Sequence, residues 1–355
     1  MLLLGLHSLA ARATNPSMKR TLVFQLAASG ILLAQLMIAT ALGDDDFFKG
    51  RTVNFVVSTS PGGGYDTYSR LIARHIGRFL PGQPHVVVQY MPGAGGMRAA
   101  NFLYTAAPRD GATIAMLDQA VQLDHVLGTA GLGADPARFN WIGRLLSNSA
   151  VLYARRDARV KKIEDVFTNE LVVATSGTSS RLNWIVLNNV LGTKVKMITG
   201  YAGTTASRLA MMRGEVDALS QPWAVLKVEG EALLRDGAIN LLLQSGAEKN
   251  VELMHVPRMI DLAKNDADRI LITLFSSPST IGRSVVAPPG LPVERVATLR
   301  RAFAAALNDA AFLDEAQKLK LDLEPLDGTE LQANIAAVGA AAPELVARAR
   351  RVAER

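Results

Sequence analysis

The 355-residue chain contains no cysteine, which excludes disulfides, zinc-thiolate sites, thiol catalysis and lipid attachment through a cysteine. Histidine is scarce, and His75, His85, His125 and His255 are the ones beyond the first segment. There is no Gly-x-Ser-x-Gly elbow, no His-Glu-x-x-His helix and no P-loop lysine, so none of the chemistries those motifs serve has a basis here. Only 20% of residues are charged and the formal net charge is +6. Arg12, Lys19 and Arg20 precede residue 42 with no acid among them, so half of that excess lies in the first segment. No basic stripe is interleaved with aromatic residues, and nucleic acid is not expected as a partner. Low-complexity segments and fixed-period repeats are also missing.

What the chain does have is one long apolar run. Met18-Lys19-Arg20 precedes an apolar stretch over residues 21–38 and then Ala39-Thr40-Ala41. That is the order of a signal peptide: a charged start, a hydrophobic centre and a small-residue cleavage site. Gln25, Ser29 and Gln35 weaken the alternative of a membrane anchor. Residues 1–41 are therefore read as a leader cleaved near Ala41, with Met18 as a possible true start, and the mature chain is expected in a bacterial periplasm. Apolar residues make up 49% of the chain, and its length suits two globular domains.

Residues 52–58 alternate Val53, Phe55 and Val57 and predict a strand, followed by the loop Pro61-Gly62-Gly63-Gly64-Tyr65-Asp66. Tyr68, Leu71, Ile72, Ile76, Phe79 and Leu80 then fall at helical spacing until Pro81-Gly82. A second strand at 85–90, the loop Met91-Pro92-Gly93-Ala94-Gly95-Gly96, a helix to about Ala106 and a strand at 112–117 repeat the order. Strand, helix, strand implies parallel pairing through helical crossovers. A similar series follows, with strands at 171–175, 195–199 and 216–219 and helices at 180–191 and 204–213. The expected fold class is α/β, with two domains and a ligand cleft between them. Residues 151–154 are expected to cross from one domain to the other and residues 275–287 to return. That assigns 42–151 plus 275–355 to domain 1 and 152–274 to domain 2. Helices are expected at 293–308, 310–320 and 329–352.

Consecutive glycines in the 61–66 loop let backbone N–H groups converge where a helix begins, a geometry suited to a carboxylate or phosphate or simply to a tight turn. Asp66 stands where its carboxylate would cap the helix. Gly93-Ala94-Gly95-Gly96-Met97-Arg98 invites a dinucleotide reading, the basis of an alternative as a nucleotide-dependent enzyme. Arg98 stands where that fingerprint needs a small residue, and the motif follows the second strand. Two further loops, Thr175-Ser176-Gly177-Thr178-Ser179-Ser180-Arg181 and Gly200-Tyr201-Ala202-Gly203-Thr204-Thr205, offer hydroxyls and amides at helix starts, as simple capping would too. Spacing puts His75 on the buried side of its helix and sends Glu215 and Asp217 to opposite strand faces. No catalytic residue, metal ligand or cofactor is expected.

As a set, these blocks resemble the tripartite tricarboxylate transporter receptors, the Bug-type extracytoplasmic solute receptors. Pro61 to Asp66 is similar to the family's Pro-Gly-Gly-x-x-Asp, and Pro-Gly-Ala-Gly-Gly is present unchanged from Pro92 to Gly96. Ala107-Pro108-Arg109-Asp110-Gly111-Ala112-Thr113 resembles Ala-Pro-Asp-Gly-Tyr-Thr with Arg109 inserted, and Tyr201 to Asp217 resembles Tyr-Lys-Gly, a helix and Gly-x-Val-Asp. The resemblance implies a class II periplasmic binding protein fold that holds a small carboxylate between its domains, a di- or tricarboxylate, an aromatic acid or an acidic amino acid. It also implies delivery to membrane permease subunits, by a receptor expected to be a monomer, and a sensory receptor of the same fold stays open. The residues it assigns to the ligand are Gly62, Gly63, Gly64 and Asp66 from one domain. From the other it assigns Thr178, Ser179, Ser180, Gly203, Thr204 and Thr205. The sequence departs from the family's Gly-Thr-Pro-Ser-His at Ser179-Ser180-Arg181, where Arg181 could meet a second carboxylate or point to solvent. Trp223 could line the cleft or sit in the core.

Overall fold

The computed structural model describes residues 47–354 apart from 176–177, 202–203 and 247–248, and leaves the side chains of Thr178 and Ser179 undescribed. The expected leader and the acidic stretch after it lie outside the described residues. Among those described, no helix is long and apolar enough to cross a membrane.

The first unit opens with β1 (Thr52–Val57), α1 (Gly64–Ile76), β2 (His85–Tyr90), α2 (Met97–Thr105) and β3 (Thr113–Met116), with β2 and β3 both parallel to β1. The apolar spacing read from the sequence is the buried stripe of α1: Tyr68, Leu71, Ile72 and Ile76 are all buried, packed in one core with Val53 and Phe55 of β1. On that stripe His75 turns its ring edge to Phe312 and bonds Glu315 at 2.6 Å. Next come α3 (Val121–Leu127) and β4 (Asn140–Leu146), which leads directly to β5 (Ala150–Arg155).

The second unit follows as β6 (Leu171–Ala174), α4 (Thr178–Val186), β7 (Val195–Ile198), α5 (Thr204–Met212), β8 (Ala218–Pro222), α6 (Trp223–Glu229), α7 (Glu231–Arg235) and β9 (Ile239–Ser245). The long helix α8 (Asp266–Ile281) then leads to β10 (Arg283–Ala287), α9 (Val293–Leu307), α10 (Ala310–Lys318), β11 (Leu326–Asp327), α11 (Gly328–Gly339) and α12 (Pro343–Glu354). These strands make two sheets, six-stranded in the order β11-β4-β10-β3-β1-β2 and five-stranded in the order β7-β6-β8-β5-β9. The β10 strand is inserted antiparallel between β3 and β4 and is buried throughout, as a central strand covered on both faces must be.

Three expectations change. The crossing expected at 151–154 is instead an internal part of β5, paired with β8 and β9, and the chain passes between sheets at 147–149. The single helix expected over 329–352 is two, because Pro343 lacks an amide to continue a ladder and stands at the first position of α12. Finally, α12, which the sequence assigns to the first unit, buries Ala349 and Val352 in a core shared with Trp184 and Ile185 of α4 as well as Leu123 and Val126 of α3. Arg348 of α12 pairs with Asp268 of α8, so α12 and α8 link the helical layers of the two sheets.

Candidate functional site

A cleft of about 780 Å³ opens between the two sheets. Parallel strands place their following loops at one sheet edge, and open α/β sheets bind ligands at these carboxyl ends. From the first sheet come Tyr65 in the first turn of α1, Gly95 after β2, Asp118 and Gln119 after β3, and Arg283 at the start of β10. From the second come Ser180, Arg181 and Asn183 of α4, Thr204 of α5, and Ser220 and Gln221 at the end of β8. Asn148, between β4 and β5, lines the back where the chain crosses.

The first wall is a connected polar cluster. Gln119 donates its backbone N–H to the Tyr65 hydroxyl at 2.8 Å. Its side-chain oxygen accepts from the Asn148 amide and, at 3.4 Å, from Arg283. Asn148 donates its backbone N–H to the Ser279 carbonyl at 3.0 Å, so the outward and returning crossings are tied to one another beside the cleft. The Arg283 guanidinium lies over the Tyr65 ring at 3.8 Å. Burial pushes the Asp118 carboxyl up, opposed by the Ala120 N–H, by Arg283 and by the Tyr65 hydroxyl. Burial and then the Asp118 charge push the Tyr65 phenol up, which keeps its proton available to donate to Asp118.

The second wall is neutral where it is buried. The Asn183 amide donates to the Ser220 hydroxyl at 2.9 Å. Gln221 is 2% exposed, and neither its amide nitrogen nor its oxygen has a partner among the described residues. Ser58 Oγ and Thr59 Oγ1, where β1 ends, are likewise buried and unpaired. Native interiors seldom tolerate such orphans unless water or a ligand meets them.

The residues singled out from the sequence fall in different places. Ser180 and Thr204 line the cleft, and so does the exposed Arg181. Thr205 is exposed at the start of α5 outside the lining, Thr178 and Ser179 begin α4, and Gly203 lies outside the described residues. Gly62, Gly63 and Gly64 form an exposed loop that carries Tyr65, rather than themselves, into the lining.

Asp66 does not cap α1. The helix starts at Gly64 with Gly63 before it, which puts Asp66 in the first turn, past the cap position, and its carboxylate reaches back to the Gly62 N–H at 2.8 Å. It also accepts from Arg70 at 2.6 Å and from the Tyr90 hydroxyl. Burial opposes its charge, but these three donors together hold the carboxyl below the usual carboxylate range. Asp66 therefore fixes the loop against β2. Trp223 is absent from the cleft lining and bonds Glu252. Asp217, expected in a strand, precedes β8 and accepts from Arg155 at 3.2 Å and from the Val172 N–H.

The Gly93 loop reaches the same cleft through Ala94, Gly95 and Met97. Gly96 has φ +95°, and a Cβ there would stand 2.8 Å from that of Asp118, so the loop needs glycine to pack against β3. The side chain of Arg98 is exposed. Sequence reasoning missed Tyr65, Asn148, Gln119, Gln221 and Arg283 as site residues. The available signal was position: Gln119, Asn148, Gln221 and Arg283 sit at or just beyond a strand end, Tyr65 opens the helix that follows β1, and Arg283 is a charge at the head of an otherwise uncharged strand.

A family model for the tripartite tricarboxylate transporter family receptor matches residues 69–337. A "UPF0065 protein in gbd 5' region" of Cupriavidus necator is 25% identical over 290 residues, covering 79% of this chain and 81% of that protein. The crystal structure of a TctC solute binding protein from Polaromonas is similar with a TM-score of 0.64 and 19% identity, covering 85% of this chain and 99% of that one. An R. palustris protein solved with adipate has a TM-score of 0.61 and 21% identity, covering 84% of this chain and 97% of that one. With the two-sheet architecture and the family match over most of its length, the chain belongs to the tripartite tricarboxylate transporter receptor family and is a solute-binding receptor of that type.

Proposed function

We propose that the protein is a periplasmic receptor that captures a small carboxylate in the cleft between its sheets and hands it to the membrane subunits of a tripartite transporter. The observation that carries this reading is the convergence of polar groups from both sheets on one cleft, with the buried amide of Gln221 unpartnered on one side and the Arg283 cluster on the other. Family membership supports the class of ligand, and the adipate held by the R. palustris protein supports a dicarboxylate among the candidates. The two sheets mark two domains in this reading, and closure involves 147–149 and the α8–β10 junction.

A thermal-shift screen of the mature protein tests the proposal. A ligand at 100 times its Kd stabilises the native state by about 2.7 kcal/mol, enough to raise Tm clearly. One or more of the di- and tricarboxylates, aromatic acids and acidic amino acids is expected to do so. A melting temperature unmoved by all of them overturns the ligand class. Uptake in a deletion strain tests delivery: loss of accumulation of the same acid is expected, and unchanged uptake points to a sensory role.

A further inference from the structure

We propose that Arg283 is the anion anchor of the cleft, the residue by which this receptor selects a carboxylate over its uncharged analogue. The inference rests on the receptor reading above and assigns its charge selectivity to one side chain. Three arginines among the described residues are buried: Arg144, Arg283 and Arg295. Arg144 donates to the Thr280 carbonyl at 2.9 Å and to that of Glu324. Arg295 donates to the Asp110 carbonyl and stacks on Phe47 at 3.4 Å. Arg283 is 7% exposed and makes one long hydrogen bond among the described residues, from Nη1 to Gln119. Its Nε is buried without a partner.

A guanidinium carries five N–H donors in a plane, and a buried cation with most of them unused is costly unless something accepts them. The Tyr65 ring covers one face but accepts nothing from the edge. Asp118 supplies compensating charge at a distance, with its own oxygens turned to the Ala120 N–H at 2.9 Å and to Tyr65. The edge formed by Nε and Nη2 is the one that meets a carboxylate through two parallel bonds. Gly64 keeps that edge open: a Cβ there would lie 3.4 Å from Nη2. The third glycine of the loop, which does not take a positive φ, owes its place to what a side chain there would cover.

The test is calorimetry on the mature protein with succinate, glutarate and benzoate, each set against its amide, using wild type, Arg283→Gln, Arg283→Lys and Gly64→Val. Unliganded melting temperatures report folding, and Gly64→Val, at an exposed first helical position, leaves the guanidinium and the core intact. Wild type is expected to bind at least one acid and to reject its amide. Arg283→Gln should weaken acid binding on the order of 30-fold or more and bring acid and amide close to parity. Arg283→Lys, which keeps the charge but not the fork, should lose roughly 10-fold. Gly64→Val should weaken the acid more than the amide. A wild type that binds none of these acids and none of those in the thermal-shift screen overturns the receptor reading and the anchor with it. A wild type that binds, alongside Arg283→Gln and Gly64→Val proteins that bind within about threefold of it and keep its preference for the acid, overturns the anchor alone.

Discussion

Asp66 and Arg283 show opposite uses of a buried charge. The Asp66 carboxylate is met by a backbone N–H of the loop, a guanidinium of the same helix and a phenol of the neighbouring strand, so it stabilises the loop that leads to Tyr65. Replacing it by Ala should cost about 1.5–3 kcal/mol, the range for a hydrogen bond to a charged group, measured by urea denaturation. Because the folded carboxyl lies below its ordinary range, its contribution is complete above the unfolded value and fades as pH falls through the folded one. Asp66→Asn should therefore lose stability at neutral pH and show a shallower acid limb than wild type in the same assay. The sequence marked Asp66 as important but misjudged its partner, because the glycines before it already wind into the helix, which starts at Gly64 and so places the carboxylate to reach back to the Gly62 N–H from the first turn.

At the scale of elements, close backbone approaches set the walls of the site. Gly96 turns the loop after β2 in the left-handed region, with its Cα against Asp118. Gly96→Ala should destabilise by about 1–3 kcal/mol from backbone strain, with added steric cost, and should weaken ligand binding by displacing Asp118; paired thermal and binding measurements check both. Arg348 holds α12 to α8 through Asp268, whose side chain is 7% exposed. Arg348→Ala leaves that carboxylate, among the described residues, with Asn265 as its remaining side-chain partner, and a loss of about 1–3 kcal/mol is expected by chemical denaturation. The elements themselves were largely legible, since α1 and β1 carry clean 3.6 and 2 periodicities. Less so was α8: Pro278 and its serines read as a connecting stretch, whereas residues 275–281 complete a helix packed between α3, α4, α11 and α12.

For the whole molecule, the ties between Asn148, Ser279 and Gln119 place the ligand wall on the two segments that cross between sheets. A ligand held there touches the parts that must move if the sheets reorient, so binding and closure are expected to be coupled. Small-angle scattering of the mature protein with and without its acid should show a reduced radius of gyration on binding. The sequence by itself determined the α/β class, the glycine-bearing loops at strand ends and the family, because these depend on local periodicity and on residues close together along the chain. It could not place Arg283 beside Tyr65 and Gln119, the nearer of which is 164 residues away along the chain, nor reveal that Gln221 is buried with its amide unpaired among the described residues. Only the tertiary structure decided these, because burial and charge compensation depend on which strands become neighbours: β10 inserts between β3 and β4 and carries its arginine to the cleft.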